Sequence, residues 1–229
     1  MMALEKILQK EGFGTRRTCR RLIESGAVKV QGIVCQNPSA LFSQKNLPLT
    51  VENCDFLAKE KVILAFNKPV GVECSQQSFH QSIFSFIPQR FVNRAIQPIG
   101  RLDVATSGLI FLTDDGQLNH FLTLPKNKIP RVYIAECAEP LAENACTRLK
   151  KGILLKNEKI KTIAESAELL DEKTLKITLS SGKYHEVRRL VGALNNRVVA
   201  LKRVAFGKFF LPNDLALGEF LEIEKDAIL

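Results

Sequence analysis

Residues 98–116, PIGRLDVATSGLIFLTDDG, contain the most informative pattern of the chain. The apolar run at 108–112 lies between a glycine and a Thr-Asp-Asp-Gly turn, which predicts a buried strand that ends in a tight turn. In the loop before this run, alternation along an extended segment points Arg101 and Asp103 the same way and turns Leu102 inward. The pattern therefore predicts a guanidinium beside an ionised carboxylate, and such a carboxylate can act as a nucleophile.

An aspartate in a turn also has a plainer explanation, because most such residues cap a helix or join a surface ion pair. The whole string runs Gly-Arg-Leu-Asp, then Gly-Leu with a hydrophobic run, then Thr-Asp-Asp-Gly, and it resembles the signature of the RsuA/RluB-E-F family of RNA pseudouridine synthases. The resemblance implies that Asp103 is the catalytic residue. We predict that Arg101, in the same motif, binds substrate.

The composition is that of an ordinary globular chain with an excess of basic residues. Its 229 residues are enough for a sizeable core in one or two domains. Thirty-three lysines and arginines against 24 aspartates and glutamates give a net charge of +9, and both nucleic acid and an anionic membrane surface fit that sign. The N-terminus is charged where a signal peptide needs an apolar core, and no apolar stretch approaches about 18 residues, so we expect a cytoplasmic protein.

The cysteines and histidines show neither a disulfide pattern nor a metal-binding pattern. Six cysteines lack a CxxC motif and paired spacing, which indicates reduced thiols. Three histidines are equally scattered. We therefore expect no metal site, and the family resemblance implies no organic cofactor, because the carboxylate supplies the covalent chemistry.

The beginning of the chain predicts a small domain of its own. Apolar residues at helical spacing and Thr15 as a cap predict two helices, and alternating residues after them predict a β-hairpin. The sequence of residues 4–32, LEKILQKEGFGTRRTCRRLIESGAVKVQG, resembles an S4 RNA-binding domain, with Gln31 where that domain usually has asparagine. We assign residues 1–58 to an S4-like domain.

Four arginines lie on the second predicted helix, at a spacing that pairs Arg16 with Arg20 and Arg17 with Arg21. Residues four apart stack on one helix face, so these guanidiniums repel each other unless an anion meets them. A solvated basic face would contain the same residues. The S4 resemblance favours the other interpretation, in which this face binds RNA.

Residues 59–229 are assigned to a catalytic domain. An apolar run at 62–66 followed by Asn-Lys-Pro-Val-Gly resembles the opening of that domain in the family, although an ordinary strand and turn explains it equally well. We predict that Lys68 in this segment binds substrate. Residues 76–97, rich in glutamine and serine, predict only a connection or an RNA-facing loop.

Two later motifs complete the predicted site. Arg-Val-Tyr on a predicted strand matches a family motif, which implies that Tyr133 stacks on the target base, although a tyrosine on a strand usually serves packing. Residues 184–190, YHEVRRL, predict the opening of a helix and resemble the family's third motif. The resemblance implies that Arg188 pairs with the catalytic aspartate, while Arg189, about 100° around the helix, is assigned to a phosphate contact.

Together these motifs predict an α+β chain in which an S4 domain precedes a pseudouridine synthase domain with a mixed, largely antiparallel sheet and flanking helices. The implied activity is isomerisation of a uridine in 16S (small-subunit) ribosomal RNA, because Tyr184-His185 and the Thr-Asp-Asp-Gly turn are similar to the RsuA branch. A 23S (large-subunit) synthase of the same family and a catalytically silent RNA-binding assembly factor are the alternatives. We expect a monomer that acts on ribosomal RNA within an assembly intermediate, away from membranes.

Overall fold

A computed structural model of the chain describes residues 1–76 and 79–229. The contacts divide the chain into two compact units, Met1–Val62 with Ile87–Gln97 and Ile63–Phe86 with Pro98–Leu229. The predicted domain boundary between residues 58 and 59 stays a prediction. The two compact units differ from the predicted domains chiefly because Ile87–Gln97 belongs to the first unit. Residues 77 and 78, within the segment predicted to be a connection, lie outside the described part of the chain.

The N-terminal unit packs helices on a small antiparallel sheet. Its elements are β1 (Met2–Ala3), α1 (Leu4–Lys10), α2 (Arg16–Glu24), β2 (Val28–Val30), β3 (Ile33–Val34), β4 (Leu41–Phe42), β5 (Leu47–Val51), β6 (Cys54–Ala58) and α3 (Gln89–Asn93). The sheet has the order β3-β2-β5-β6. The predicted start of α2 is confirmed, because the hydroxyl of Thr15 accepts a hydrogen bond from the backbone N–H of Thr18 at 3.2 Å.

A buried ion pair fixes the segment Ile87–Gln97 within this unit. Nη1 of Arg94 lies 2.7 Å from Oε2 of Glu11, and both side chains are only 1% exposed. Oε1 of Glu11 also accepts hydrogen bonds from Gln44 and from the backbone N–H of Lys59. Because a buried charge without its partner is costly, this pair ties α3 to the end of α1.

The C-terminal unit is built on one large sheet. From Ile63 onward the chain forms β7 (Ile63–Lys68), β8 (Val72–Glu73), β9 (Gln81–Ser82), β10 (Gln97–Pro98), β11 (Thr106–Thr113), α4 (Gly116–Thr123), β12 (Arg131–Cys137), α5 (Ala145–Lys151), β13 (Ser166–Leu169), β14 (Thr174–Leu179), α6 (Glu186–Gly192), β15 (Val198–Phe206), β16 (Phe209–Phe210) and β17 (Phe220–Glu222). Short 3-10 helices occupy Ile83–Phe86, Pro125–Asn127 and Lys225–Ala227.

The main path of this sheet has the strand order β13-β14-β12-β15-β11-β7-β17. The pair β11–β15 is parallel, and the other neighbours on the path are antiparallel. The predicted α+β class with a mixed, largely antiparallel sheet is thereby confirmed. In the part of the chain that the structure describes, none of the helices has the length and hydropathy needed to span a membrane.

Strand β11 is an interior strand of the sheet and follows the loop that contains Asp103. It lies between β7 and β15, which explains why its sequence is a continuous apolar run. Gly108 faces Arg203 across the parallel pair, with φ of 100°. A β-carbon there would lie 2.2 Å from the carbonyl oxygen of Arg203, so glycine is required for the strands to approach.

Candidate active site

An open cavity of about 850 Å³ in the C-terminal unit brings most of the predicted site together. Four of the residues predicted from the motifs line it: Arg101, Asp103, Tyr133 and Arg188. They come from the loop before β11, from β12 and from α6, which are far apart in sequence. The sheet order explains the convergence, because β12, β15 and β11 are consecutive strands.

Asp103 is half-exposed in the cavity, and its neighbour in space is a histidine. Nε2 of His185 lies 3.3 Å from Oδ1 of Asp103, within ion-pair distance. The expectation of an arginine beside the carboxylate is not met: Arg101 is exposed, and among residues 1–76 and 79–229 it forms no ion pair with Asp103. The carboxylate of Asp103 faces His185 instead, and the chain turns directly after it, where the carbonyl of Asp103 accepts a hydrogen bond from the N–H of Thr106.

A buried thiol anchors the loop that contains Asp103. Leu102 is buried as predicted, and its N–H donates to Sγ of Cys74 at 3.5 Å, while the thiol donates to the carbonyl of Leu102 at 3.4 Å. Burial raises the pKa of Cys74, which keeps the thiol proton available for this bond. The backbone next to the carboxylate is therefore fixed from behind.

Lys68 lies behind the same loop and does not line the cavity. Its side chain is fully buried, and Nζ donates to the carbonyl oxygens of Pro69 at 2.8 Å and Val72 at 2.7 Å. Burial lowers the pKa of Lys68, and the nearby Cys74 and Asp103 oppose that shift. Substrate binding by Lys68 stays a prediction; the contacts present close the turn after β7.

Tyr133 projects into the cavity from an irregular point in the sheet. The pairing of β12 with β15 shifts register between Val132 and Tyr133, and Tyr133 then lies opposite Arg203. Such bulges change the direction of a side chain and are common at active sites. The tyrosine is half-buried, so one part of its ring packs and another part is available to a ligand.

Arg203 is a cavity residue that the sequence motifs did not single out. It is 2% exposed, its Nε donates to the carbonyl of Leu109 at 2.7 Å, and its guanidinium lies over the ring of Phe206. Burial and the neighbouring Arg203 lower the pKa of Arg131, which also lines the cavity. A charged residue at a buried position of β15 was the available signal, because buried cations are rare without a function or a partner.

The two arginines of α6 take different directions, as their spacing predicts. Arg188 donates to the carbonyl oxygens of Val198 at 3.2 Å and Ala105 at 3.0 Å. It therefore connects α6 to β15 and to the loop just after Asp103. In the described residues it forms no ion pair with the Asp103 carboxylate, so its effect on that group passes through the backbone.

Arg189 points away from the cavity towards the loop before β13. It lies 3.0 Å from Oε1 of Glu158 and donates to the carbonyl of Lys156 at 2.6 Å. Hydrogen bonds from Arg189 and Lys183 lower the pKa of Glu158. A phosphate would have to compete with the Glu158 carboxylate for Arg189. The phosphate contact of Arg189 therefore stays a prediction.

The basic helix α2 in the N-terminal unit already has two carboxylates as partners, and one of them, Glu24, lies on α2 itself, with Oε1 3.4 Å from Nε of Arg20. All four arginines are exposed, yet Glu5 of α1 is 2% exposed and lies 2.5 Å from Nη2 of Arg16 and 3.7 Å from Nε of Arg20. Arg17 and Arg21 form no ion pair within the residues that the structure covers. Two of the four predicted RNA contacts therefore have their charge compensated within the protein.

The C-terminal unit thus has one aspartate in a cavity that several arginines line, and the N-terminal unit has a basic helix. The sequence model of RNA pseudouridylate synthases matches residues 62–193, and the S4 domain model matches residues 2–43. The chain belongs to the RNA pseudouridylate synthase family. The family and S4 predictions are thus confirmed.

Similar proteins cover almost the whole chain. The chain is 33% identical over 228 residues to ribosomal small subunit pseudouridine synthase A of Haemophilus influenzae, spanning 99% of this chain and 98% of the relative. It is 29% identical over 232 residues to the uncharacterized RNA pseudouridine synthase YtzG of Bacillus subtilis, spanning 99% and 97%. A crystal structure of a pseudouridylate synthase superposes with a TM-score of 0.69 at 33% identity, covering 100% and 98% of the two chains.

Proposed function

We propose that the protein isomerises a specific uridine of small-subunit ribosomal RNA to pseudouridine, with Asp103 as the nucleophile. The observation that carries the proposal is the meeting of Asp103, Tyr133 and Arg188 around one cavity of the C-terminal unit. The choice of RNA is supported by relatives from Haemophilus influenzae and Pasteurella multocida, both named as ribosomal small subunit pseudouridine synthase A.

The reaction requires the uridine to leave its stack, because C1′ and C5 cannot both be reached inside paired RNA. The carboxylate of Asp103 attacks the flipped nucleotide, and the bond between N1 and C1′ breaks. The uracil turns, and C5 bonds to C1′ as the bond between the Asp103 oxygen and the nucleotide breaks, which frees the carboxylate. The proton lost from C5 is balanced by one gained at N1. Atoms and electrons balance without a co-reactant.

The side chains around Asp103 have separate parts in this scheme. Tyr133 stacks on the uracil and its hydroxyl assists proton transfer. Arg188 holds the backbone after Asp103 through the carbonyl of Ala105, and the Cys74 thiol holds the backbone before it. Arg101 and Arg203 place positive charge at the cavity, which attracts the RNA backbone.

The partner of the protein is then RNA, held in part by α2. Arg17 and Arg21 project from that helix without an ion pair in the described residues, and they suit contacts with two phosphates. Arg189 is proposed as a further phosphate contact once it leaves Glu158. We further propose a cytoplasmic monomer that meets its RNA in a ribosome assembly intermediate, since both the +9 charge and the separate S4 domain suit exposed RNA.

The direct test maps pseudouridines in both ribosomal RNAs, by carbodiimide-stop sequencing, in cells with and without the gene. We expect one site in the small-subunit RNA to vanish on deletion and to return with the wild-type gene, but not with Asp103→Asn. A site lost from the large-subunit RNA would assign the other branch. Identical maps would support a catalytically silent RNA-binding factor.

A further inference from the structure

The rim of the cavity carries an exposed aromatic side chain that the reaction scheme does not use. Tyr184 lines the cavity and is 76% exposed. The chain has only two tyrosines and no tryptophan, and both tyrosines line this cavity. Tyr133 is half-buried there, whereas Tyr184 is largely exposed to solvent.

The segment that presents Tyr184 is held by a buried carboxylate. Glu186, at the start of α6, accepts hydrogen bonds from the hydroxyl of Ser181 and from the backbone N–H groups of Gly182 at 3.1 Å and Lys183 at 3.3 Å. The carbonyl of Tyr184 itself accepts a hydrogen bond from Arg189 at 3.3 Å. The exposed ring therefore stands on a fixed backbone.

His185 adopts a left-handed conformation, with φ of 48° and ψ of 34°, and α6 begins only at Glu186. The expectation that the helix opens at Tyr184 is therefore wrong. A β-carbon disfavours this conformation, and residues held in it against that preference cluster at functional sites. Here it has a visible result: the ring of His185 stacks on that of Tyr184, with centroids 3.9 Å apart and planes at 15°.

The same histidine contacts the nucleophile, since its Nε2 lies 3.3 Å from Asp103. Tyr184, His185 and Asp103 thus form a continuous path from the rim to the reacting carboxylate. Arg101, exposed on the same cavity, supplies a positive charge for the phosphate of a nucleotide seated at the rim. A rigid aromatic surface beside a cation is the arrangement that binds an unpaired nucleobase.

We propose that Tyr184, backed by His185, is a stacking platform for a second nucleobase of the substrate RNA, the one adjacent in the chain to the target uridine. The inference rests on the proposed function and names a further substrate contact for it. Because every base has a π-face, the platform requires a base at that position without strong preference for its identity. Stacking there also fixes the ring of His185 against Asp103 and links RNA seating to the position of the nucleophile.

The first test compares wild type, Tyr184→Phe and Tyr184→Ala on three RNAs: the mapped ribosomal fragment, and the same fragment with an abasic nucleotide on the 5′ or the 3′ side of the uridine. We expect Tyr184→Ala to lower kcat/KM about 5- to 150-fold on intact RNA, and Tyr184→Phe to retain it. One of the two abasic RNAs should lower the kcat/KM of wild type by a similar factor. The same abasic RNA should not lower the kcat/KM of Tyr184→Ala any further. Phe210→Ala, at a 67% exposed ring outside the cavity lining, is the matched control.

A second measurement reads binding without turnover. Tyr184→Trp introduces the sole tryptophan, whose fluorescence a stacked base should quench when the intact fragment binds. Quenching that disappears with the flanking abasic RNA supports the platform, whereas no quenching, or quenching lost only when the target uracil is removed, overturns it. The proposal is also overturned if the loss of kcat/KM from Tyr184→Ala and the loss from the abasic nucleotide multiply when the variant acts on the abasic RNA. Absence of turnover by wild type on every ribosomal fragment is a separate result, which counts against the proposed function.

Discussion

Two arginines of α2, Arg17 and Arg21, should account for most of the salt dependence that this helix gives to RNA binding. Arg16 and Arg20 already share the buried carboxylate of Glu5, at 2.5 and 3.7 Å. The perturbation is therefore the double variant Arg17→Gln, Arg21→Gln. It removes two exposed charges that form no ion pair in the described structure, so the free energy of unfolding should not change.

The size of the effect follows from counterion release. Each phosphate neutralised adds about 0.7 to 0.9 to the slope of log affinity against log salt, so two contacts add about 1.4 to 1.8. A fourfold rise in salt should then weaken wild-type binding about 7- to 12-fold more than it weakens the double variant. Arg16→Gln should behave differently, because it leaves Glu5 buried with a weaker partner and costs about 1–3 kcal/mol of stability.

The assay is a fluorescence-anisotropy titration of a labelled ribosomal RNA fragment at several salt concentrations, with thermal unfolding of each protein alongside. Arg16→Gln is the matched control on the same helix. Equal slopes for wild type and the double variant would refute the reasoning. In that case Arg17 and Arg21 belong to a solvated surface.

Three further predictions concern the cavity. Tyr133→Phe keeps the stacking face and loses the hydroxyl, so RNA capture should persist while single-turnover kinetics show a later step slowed about 10²- to 10⁴-fold. Arg188→Ala removes the hydrogen bonds to the carbonyl oxygens of Ala105 and Val198, so activity should fall strongly while the melting temperature changes little. A lower melting temperature with full activity would mean that Arg188 serves packing only. Turnover should be unchanged in EDTA, since the described residues contain no cluster of three or more metal-ligating side chains, and loss of activity restored by zinc would contradict this.

The fold was most predictable where the evidence is local. The apolar run before Thr-Asp-Asp-Gly became β11, and Thr15 caps α2, because burial on both sheet faces and capping each leave a pattern within a few residues. The attachment of Ile87–Gln97 to the N-terminal unit leaves no such pattern. It depends on Glu11 and Arg94, which are distant in sequence and meet only in the folded chain.

The residues of the site divide in the same way, into those that a sequence motif reveals and those that only the folded chain brings together. Asp103, Tyr133 and Arg188 belong to recognisable motifs, and the sheet brings all three to one cavity. The immediate neighbour of Asp103 was not predicted, because His185 reaches it only through a left-handed backbone that helical spacing does not show. The arginines of α2 show both cases: Glu24 lies four residues from Arg20 on the same helix, at a spacing that the sequence shows, whereas Glu5 lies on α1 and meets Arg16 only in the folded chain.

The central claim is that the carboxylate of Asp103 forms the bond to the flipped nucleotide. Asp103→Asn keeps the shape of the side chain and removes its charge, and the Leu102–Cys74 contacts that fix the loop do not involve it. The decisive measurement is single-turnover pseudouridine formation on the mapped ribosomal RNA fragment, with enzyme in excess and RNA binding measured in parallel. We predict that Asp103→Asn binds the RNA with wild-type affinity and forms no pseudouridine; measurable product at equal RNA occupancy would show that another group performs the attack.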